Sequence, residues 1–157
     1  MVGIEYGFNL VDPPSVGEFE SFRSYDPEVN KNLKSAKENH WKFSSIKVKQ
    51  NLKAWYFRQE AGKEVSRHVD TAPDYGNVCG FNFLLEGSSP IVFDDGPFYY
   101  KSALLDISKH HSVPASDERL ILKLNIPLSF DHVATILDYH FKPNQDIYWN
   151  EFLSVFN

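Results

Sequence analysis

The sequence contains a single cysteine, Cys79, and a single methionine, Met1. A lone thiol excludes an internal disulfide framework and a zinc site built from several thiolates. Any metal ion here would be held mainly by histidine and carboxylate. No run approaches the ~20 apolar residues that a membrane-spanning helix needs. The opening residues Met1-Val2-Gly3-Ile4-Glu5 lack the basic and apolar regions of a signal peptide. The default expectation is therefore a cytoplasmic protein with no membrane attachment. Positive charge is also in short supply: 16 lysines and arginines face 21 acidic residues, a net charge of −5. A broad nucleic-acid-binding face is not expected from that balance. Internal repeats and low-complexity tracts are absent.

What is present fits one domain, residues 1–157, since a chain of this length has room for a single core. Apolar residues make up 42% and charged residues 24%, an ordinary globular balance. Aromatics reach 15%, with 13 Phe and 8 Tyr, which leans towards β structure and aromatic-lined cavities. The hydrophobic pattern agrees. After a short strand near Phe8, alternating or aromatic runs predict strands within 45–58 and over 65–70, 77–85, 91–93, 98–100, 103–107 and 120–126. Turn signals separate them, among them Gly62-Lys63, Gly87-Ser88-Ser89-Pro90 and Asp94-Asp95-Gly96-Pro97. Many short strands with frequent turns indicate an antiparallel sandwich or barrel. Two helices flank it. Asp26-Pro27 supplies a cap and a first-turn proline for a solvated helix over 26–39. Val133, Ile136, Leu137 and His140 share one face of a second helix over 132–141.

The chemistry lies in His68-Val69-Asp70. On a strand, residues two apart point to the same face, so this imidazole and carboxylate project together. A second histidine, in His110-His111, arrives a few strands later. Two histidines and one carboxylate are the ligand set of non-haem Fe(II) oxygenases, which keeps further coordination positions open. His-x-Asp by itself is a weak signal.

The run Arg67-His68-Val69-Asp70, then His111-Ser112-Val113, then Arg119 leading into an apolar strand resembles the 2-oxoglutarate/Fe(II)-dependent dioxygenases. It looks most like their small prolyl-hydroxylase-like and phage or microbial members. Ala61-Gly62, Gly80-Phe81-Asn82-Phe83-Leu84-Leu85 and Ile91-Val92-Phe93-Asp94-Asp95-Gly96 are lesser matches, and the similarity covers about residues 45–127. The resemblance implies a double-stranded β-helix, a jelly-roll or cupin-like barrel, with N- and C-terminal helices outside it. It implies Fe(II) held by His68, Asp70 and His111, with His110 the alternative to His111. It also implies 2-oxoglutarate as cosubstrate, its distal carboxylate anchored by Arg119, with Lys123 in reserve on the same strand face. Tyr56 (or Arg58) would assist in cosubstrate binding; Asn82, amid Phe81, Phe83 and Leu84, reads either as a hydrogen bonder in that site or as a residue bridging backbone groups in the core. The implied reaction is hydroxylation of an unidentified substrate by dioxygen, a peptide or protein side chain or a small metabolite, releasing succinate and carbon dioxide. Alternatives are another metal-dependent cupin enzyme and a non-catalytic jelly-roll binding or structural module, such as a virion component.

Plainer readings apply to the remaining features. Trp55-Tyr56-Phe57 suits core packing more readily than a substrate pocket. Lys31, Lys34, Lys37 and Lys42 read as a solvated face. Cys79 reads as a small apolar residue, Asp94-Asp95-Gly96 as a turn rather than a calcium loop, and His132 and His140 as structural or exposed. The aromatic C-terminus, Tyr148-Trp149 to Phe156, packs either on the barrel or on a neighbouring molecule; oligomeric state is not legible.

Overall fold

The structure, a computed structural model, describes residues 1–21, 41–48, 51–69, 78–88 and 90–156. The helix expected at 26–39, with its lysines, lies outside the described residues, as does Asp70. The strands are β1 (Gly3–Glu5), β2 (Asn9–Leu10), β3 (Glu20–Ser21), β4 (Trp41–Ile46), β5 (Lys53–Gln59), β6 (Val65–His68) and β7 (Cys79–Glu86). They continue with β8 (Ile91–Phe93), β9 (Gly96–Phe98), β10 (Ser102–Leu105), β11 (His111–Val113), β12 (Arg119–Ile126) and β13 (Asp146–Ile147). Two helices follow β12: α1 (Phe130–His140) and, after β13, α2 (Trp149–Ser154). The expected C-terminal helix is present, beginning at Phe130. Its start is fixed by Ser129, whose hydroxyl accepts a hydrogen bond from the His132 N–H at 3.2 Å, with Asp131 in the first turn.

The strands form two main sheets. A seven-stranded antiparallel sheet runs in the order β1-β10-β7-β12-β5-β4-β3, and a four-stranded antiparallel sheet in the order β6-β11-β8-β9. A small parallel pair, β2 with β13, joins the two ends of the described chain. The pairing of the central strands defines the architecture. β5 pairs with β12, β6 with β11, β7 with β10 and β8 with β9, so first meets last at every rung. A long hairpin rolled up in this way, with its rungs alternating between two sheets, is a double-stranded β-helix: the jelly-roll, cupin-like barrel expected above.

Period-two alternation divides the large sheet into two faces. Ala54, Tyr56, Phe81, Phe83, Leu104, Leu120, Leu122, Leu124 and Ile126 face outward from the barrel and form the main core. Tyr6 and Phe8 cover that face, together with Val133 and Leu137 of α1 and Trp149, Phe152 and Leu153 of α2. The aromatic C-terminus thus packs on the barrel of its own chain. Asp12 holds α2 in place by accepting a hydrogen bond from the Trp149 N–H at 2.7 Å. The opposite face looks into the barrel, where Leu84, Ala103 and Leu105 pack with Tyr100, Ile107 and the small sheet's Ile91 and Phe93. Trp55, Phe57 and Gln59 on β5 share this inner face with Arg119, Ile121 and Lys123 on β12, their partners in register.

Two predictions follow from this packing. Leu122→Ala removes a fully buried side chain from the centre of the main core and should lower stability by about 2–5 kcal/mol, read as a shifted urea midpoint. Burial, with the Asp106 carboxylate nearby, pushes the Cys79 thiol up to about 12, and burial raises the Tyr6 and Tyr56 phenols too. These groups stay protonated in the folded state while the unfolded chain loses its thiol proton first. Their contribution is therefore intact at neutral pH and declines as pH rises above about 9. Urea midpoints should fall between about pH 8 and pH 10, and Cys79→Ala should flatten the first part of that decline.

Candidate metal and ligand site

Strands β6 and β11 set His68 directly opposite His111. Their rings lie 4.5 Å apart, centre to centre, at an interplanar angle of 58°. A register irregularity makes this possible. Val65 opposes Val113 and His68 opposes His111, so β6 spans the interval with one residue more than β11. Without that bulge, three-residue spacing would send Val65 and His68 to opposite faces. With it, the imidazole of His68 turns towards the barrel interior, beside His111, which is 4% exposed. His111 in turn opposes Phe93 on β8, with ring centres 5.8 Å apart. His110, the alternative considered above, is exposed.

Each imidazole is held in the same way. His68 Nδ1 donates to the Ser66 carbonyl at 2.5 Å, and His111 Nδ1 donates to the Lys109 carbonyl at 2.7 Å. A carbonyl oxygen can only accept, so Nδ1 carries the proton in both rings. A neutral imidazole in this tautomer bears its lone pair on Nε2, the arrangement that metal-binding histidines use. The spacing fits as well. Two imidazoles at right angles on one ion, each with a metal–nitrogen bond of roughly 2.1 Å, place their ring centres about 4.5 Å apart. The described residues contain no cluster of three metal-capable side chains; Asp70, the carboxylate assigned from sequence, follows β6 outside the described residues.

Arg119 begins β12 and is 6% exposed. Its Nη1 donates to Gln59 Oε1 at 3.1 Å and its Nη2 to the Tyr100 hydroxyl at 3.0 Å. Both partners are neutral. Among the described residues no carboxylate lies within ion-pair distance of Arg119, and its buried Nε–H has no hydrogen-bond partner. Asn82 joins the same group by donating from Nδ2 to the Tyr100 hydroxyl at 3.1 Å, while its buried Oδ1 has no partner. A buried cation without a counter-charge is costly to hold. The backbone packs closely where this strand begins. Gly87, at φ +88°, lies so near Arg119 that an added Cβ would sit 3.2 Å from its Cα and 2.8 Å from the Glu118 carbonyl oxygen.

The other assigned residues fall elsewhere. Tyr56 stands on the outward face of β5 in the main core, and its hydroxyl donates to the Pro14 carbonyl. The physical reason is strand parity, which turns 55, 57 and 59 inward and 54 and 56 outward. Arg58 also sits off the inner face, bonded to Glu118 and near Glu86 at 3.6 Å. Lys123 shares the inner face with Arg119, its ammonium over the rings of Trp55 and Phe57 at 5.7 and 5.8 Å. Sequence reasoning passed over Gln59 and Tyr100. Register with Arg119 could have found Gln59, whereas Tyr100, expected at the end of a strand over 98–100, lies in the loop between β9, which ends at Phe98, and β10.

No protein-family model matches this chain, and no curated protein matches it. Among solved structures it is similar to an RmlC-like cupin protein from Desulfovibrio desulfuricans, with 21% identity over 57% of this chain and 85% of that one, TM-score 0.46. It is similar also to ectoine synthase from P. lautus, with 17% identity over 61% and 71% of the two chains, TM-score 0.45. KdgF from Halomonas sp. aligns over 74% of this chain and 93% of its own, with 11% identity and TM-score 0.48. The fold assignment rests on the strand order rather than on these likenesses.

The paired imidazoles give a direct expectation. His68→Ala and His111→Ala should each weaken Co(II) binding at least tenfold by isothermal titration calorimetry, and His110→Ala should leave it unchanged.

Proposed function

We propose that the chain is an Fe(II)- and 2-oxoglutarate-dependent oxygenase that hydroxylates a substrate entering the barrel. The observation that carries this reading is the convergence of His68 and His111, each fixed through Nδ1 by a backbone carbonyl, inside the barrel that also buries Arg119, which has no carboxylate partner among the described residues. His68, His111 and, from the sequence, Asp70 would hold the iron; together with the 2-oxoacid it would supply the oxidising chemistry.

This chain's residues do the rest. The Ser66 and Lys109 carbonyls hold the two imidazoles in the tautomer that leaves Nε2 basic. Arg119 offers a planar, permanently charged fork to a carboxylate, and its low exposure makes each charge-assisted hydrogen bond stronger than in water. Phe93, beside His111, and Ile91 and Leu105 behind it keep water from that side of the imidazole pair. Trp55 and Phe57, half-buried on the same inner face, form a surface suited to a substrate with an apolar body. A second reading, a different metal-dependent cupin enzyme, fits the paired histidines equally well.

The deciding assay is succinate release from 2-oxoglutarate under air with Fe(II). Slow release without added substrate is expected, abolished by His68→Ala or His111→Ala. Metal binding that depends on both histidines, with no succinate formed, would favour the second reading.

A further inference from the structure

We infer that Arg67 and Asp94 are positioning residues: their ion pair clasps strand β6 onto the small sheet and holds His68 where it can receive a metal ion. The inference rests on the proposed metal site for its purpose, but its basis is the geometry of the pair. Arg67 Nε and Nη2 donate to Asp94 Oδ1 at 3.2 and 2.9 Å, and Nη2 donates also to Oδ2 at 3.1 Å. A guanidinium held by both oxygens of one carboxylate is the arrangement in which an exposed ion pair contributes most. In the order β6-β11-β8-β9, β11 separates β6 from β8, so the pair joins segments roughly 9–10 Å apart. His68, His111 and Phe93 stand in one row across those three strands. Arg67 precedes that row by one residue and Asp94 follows it by one. Successive residues of a strand point to opposite faces, so Arg67 turns outward where His68 turns inward. The side chains of the pair are 57% and 71% exposed, and they meet across the outer face of β11, behind His111.

Strand β6 needs such a tie. Among the described residues it is an edge strand, paired on one side only. Its ladder with β11 comes down to two matched positions, Val65 with Val113 and His68 with His111, and the irregularity falls between them. An edge strand with an interrupted ladder opens locally at lower cost than the body of a sheet. Opening here would carry His68 away from His111, and metal affinity falls with the fraction of molecules in which the two stand together. The bulge that aims His68 inward thus also loosens the strand, and the clasp offsets the loosening from the far side of β11. Charge acting at a distance would behave otherwise. A nearby guanidinium repels a metal ion and a nearby carboxylate attracts it, so loss of one or the other would shift affinity in opposite directions. A clasp needs both partners, and loss of either shifts affinity the same way.

The test pairs amide hydrogen exchange of metal-free protein with calorimetric titration of Co(II). Asp94→Asn and Arg67→Gln should each speed exchange over residues 65–68 about fivefold, leave β12 unchanged and barely move the urea midpoint. Each should also weaken Co(II) binding about threefold. The reversed pair, Arg67→Asp together with Asp94→Arg, should bring both readings back towards wild type. Unchanged exchange in both single variants would overturn the inference, as would exchange quickened equally in β12. Tighter Co(II) binding by Arg67→Gln beside weaker binding by Asp94→Asn would overturn it too, in favour of charge acting at a distance. Exchange quickened in β6 with Co(II) affinity unmoved would remove the positioning role and leave the metal site standing. Wild-type protein that binds no Co(II) would sink the metal site and the inference together.

Discussion

The site depends on one irregular rung of the ladder, the β6–β11 pair. The extra residue between Val65 and His68 changes the parity of β6, so that a histidine three positions along still faces inward. The same stretch provides the Ser66 carbonyl that receives His68 Nδ1. One backbone irregularity thus aims the imidazole and fixes its tautomer. Everything proposed for the metal follows from that coupling.

The barrel divides its labour between two faces of one sheet. The outward face is apolar, with Leu122, Leu124 and Ile126 fully buried beneath the helices and the N-terminal segment. Because that core supplies stability from outside the barrel, the interior need not be uniformly apolar. It holds instead a guanidinium, a carboxamide and a phenol linked by hydrogen bonds. Such a polar network is expensive in a core whose sole task is to stay folded. It makes physical sense where a ligand completes it.

Much of this was legible in the sequence. Alternation and turn signals located most barrel strands, and the spacing of Val133, Ile136 and Leu137 located α1. The resemblance gave the barrel topology, the partnership of His68 with His111 and the inner position of Arg119. What escaped notice was mostly short or non-periodic: β1, β3, β13 and α2 are too brief for a pattern to build up, and only the end of β4 fell within the strands expected at 45–58. β11, three residues long, was marked by its histidine rather than by its hydrophobicity. Tyr56 was drawn towards the site by analogy, although strand parity relative to Arg119 sends it outward. Tyr100 belongs to the network only because the loop before β10 folds back over Arg119, a long-range fact that no local window contains.

The rolled-hairpin topology also sets an order of assembly. The tip, β8 against β9 across Asp94 and Asp95, closes at little entropic cost, and each later rung builds on the pairing of the one before. The rung that joins His68 to His111 comes third, and the one that brings Arg119 to Gln59 comes last. Both contacts therefore depend on the rungs formed before them.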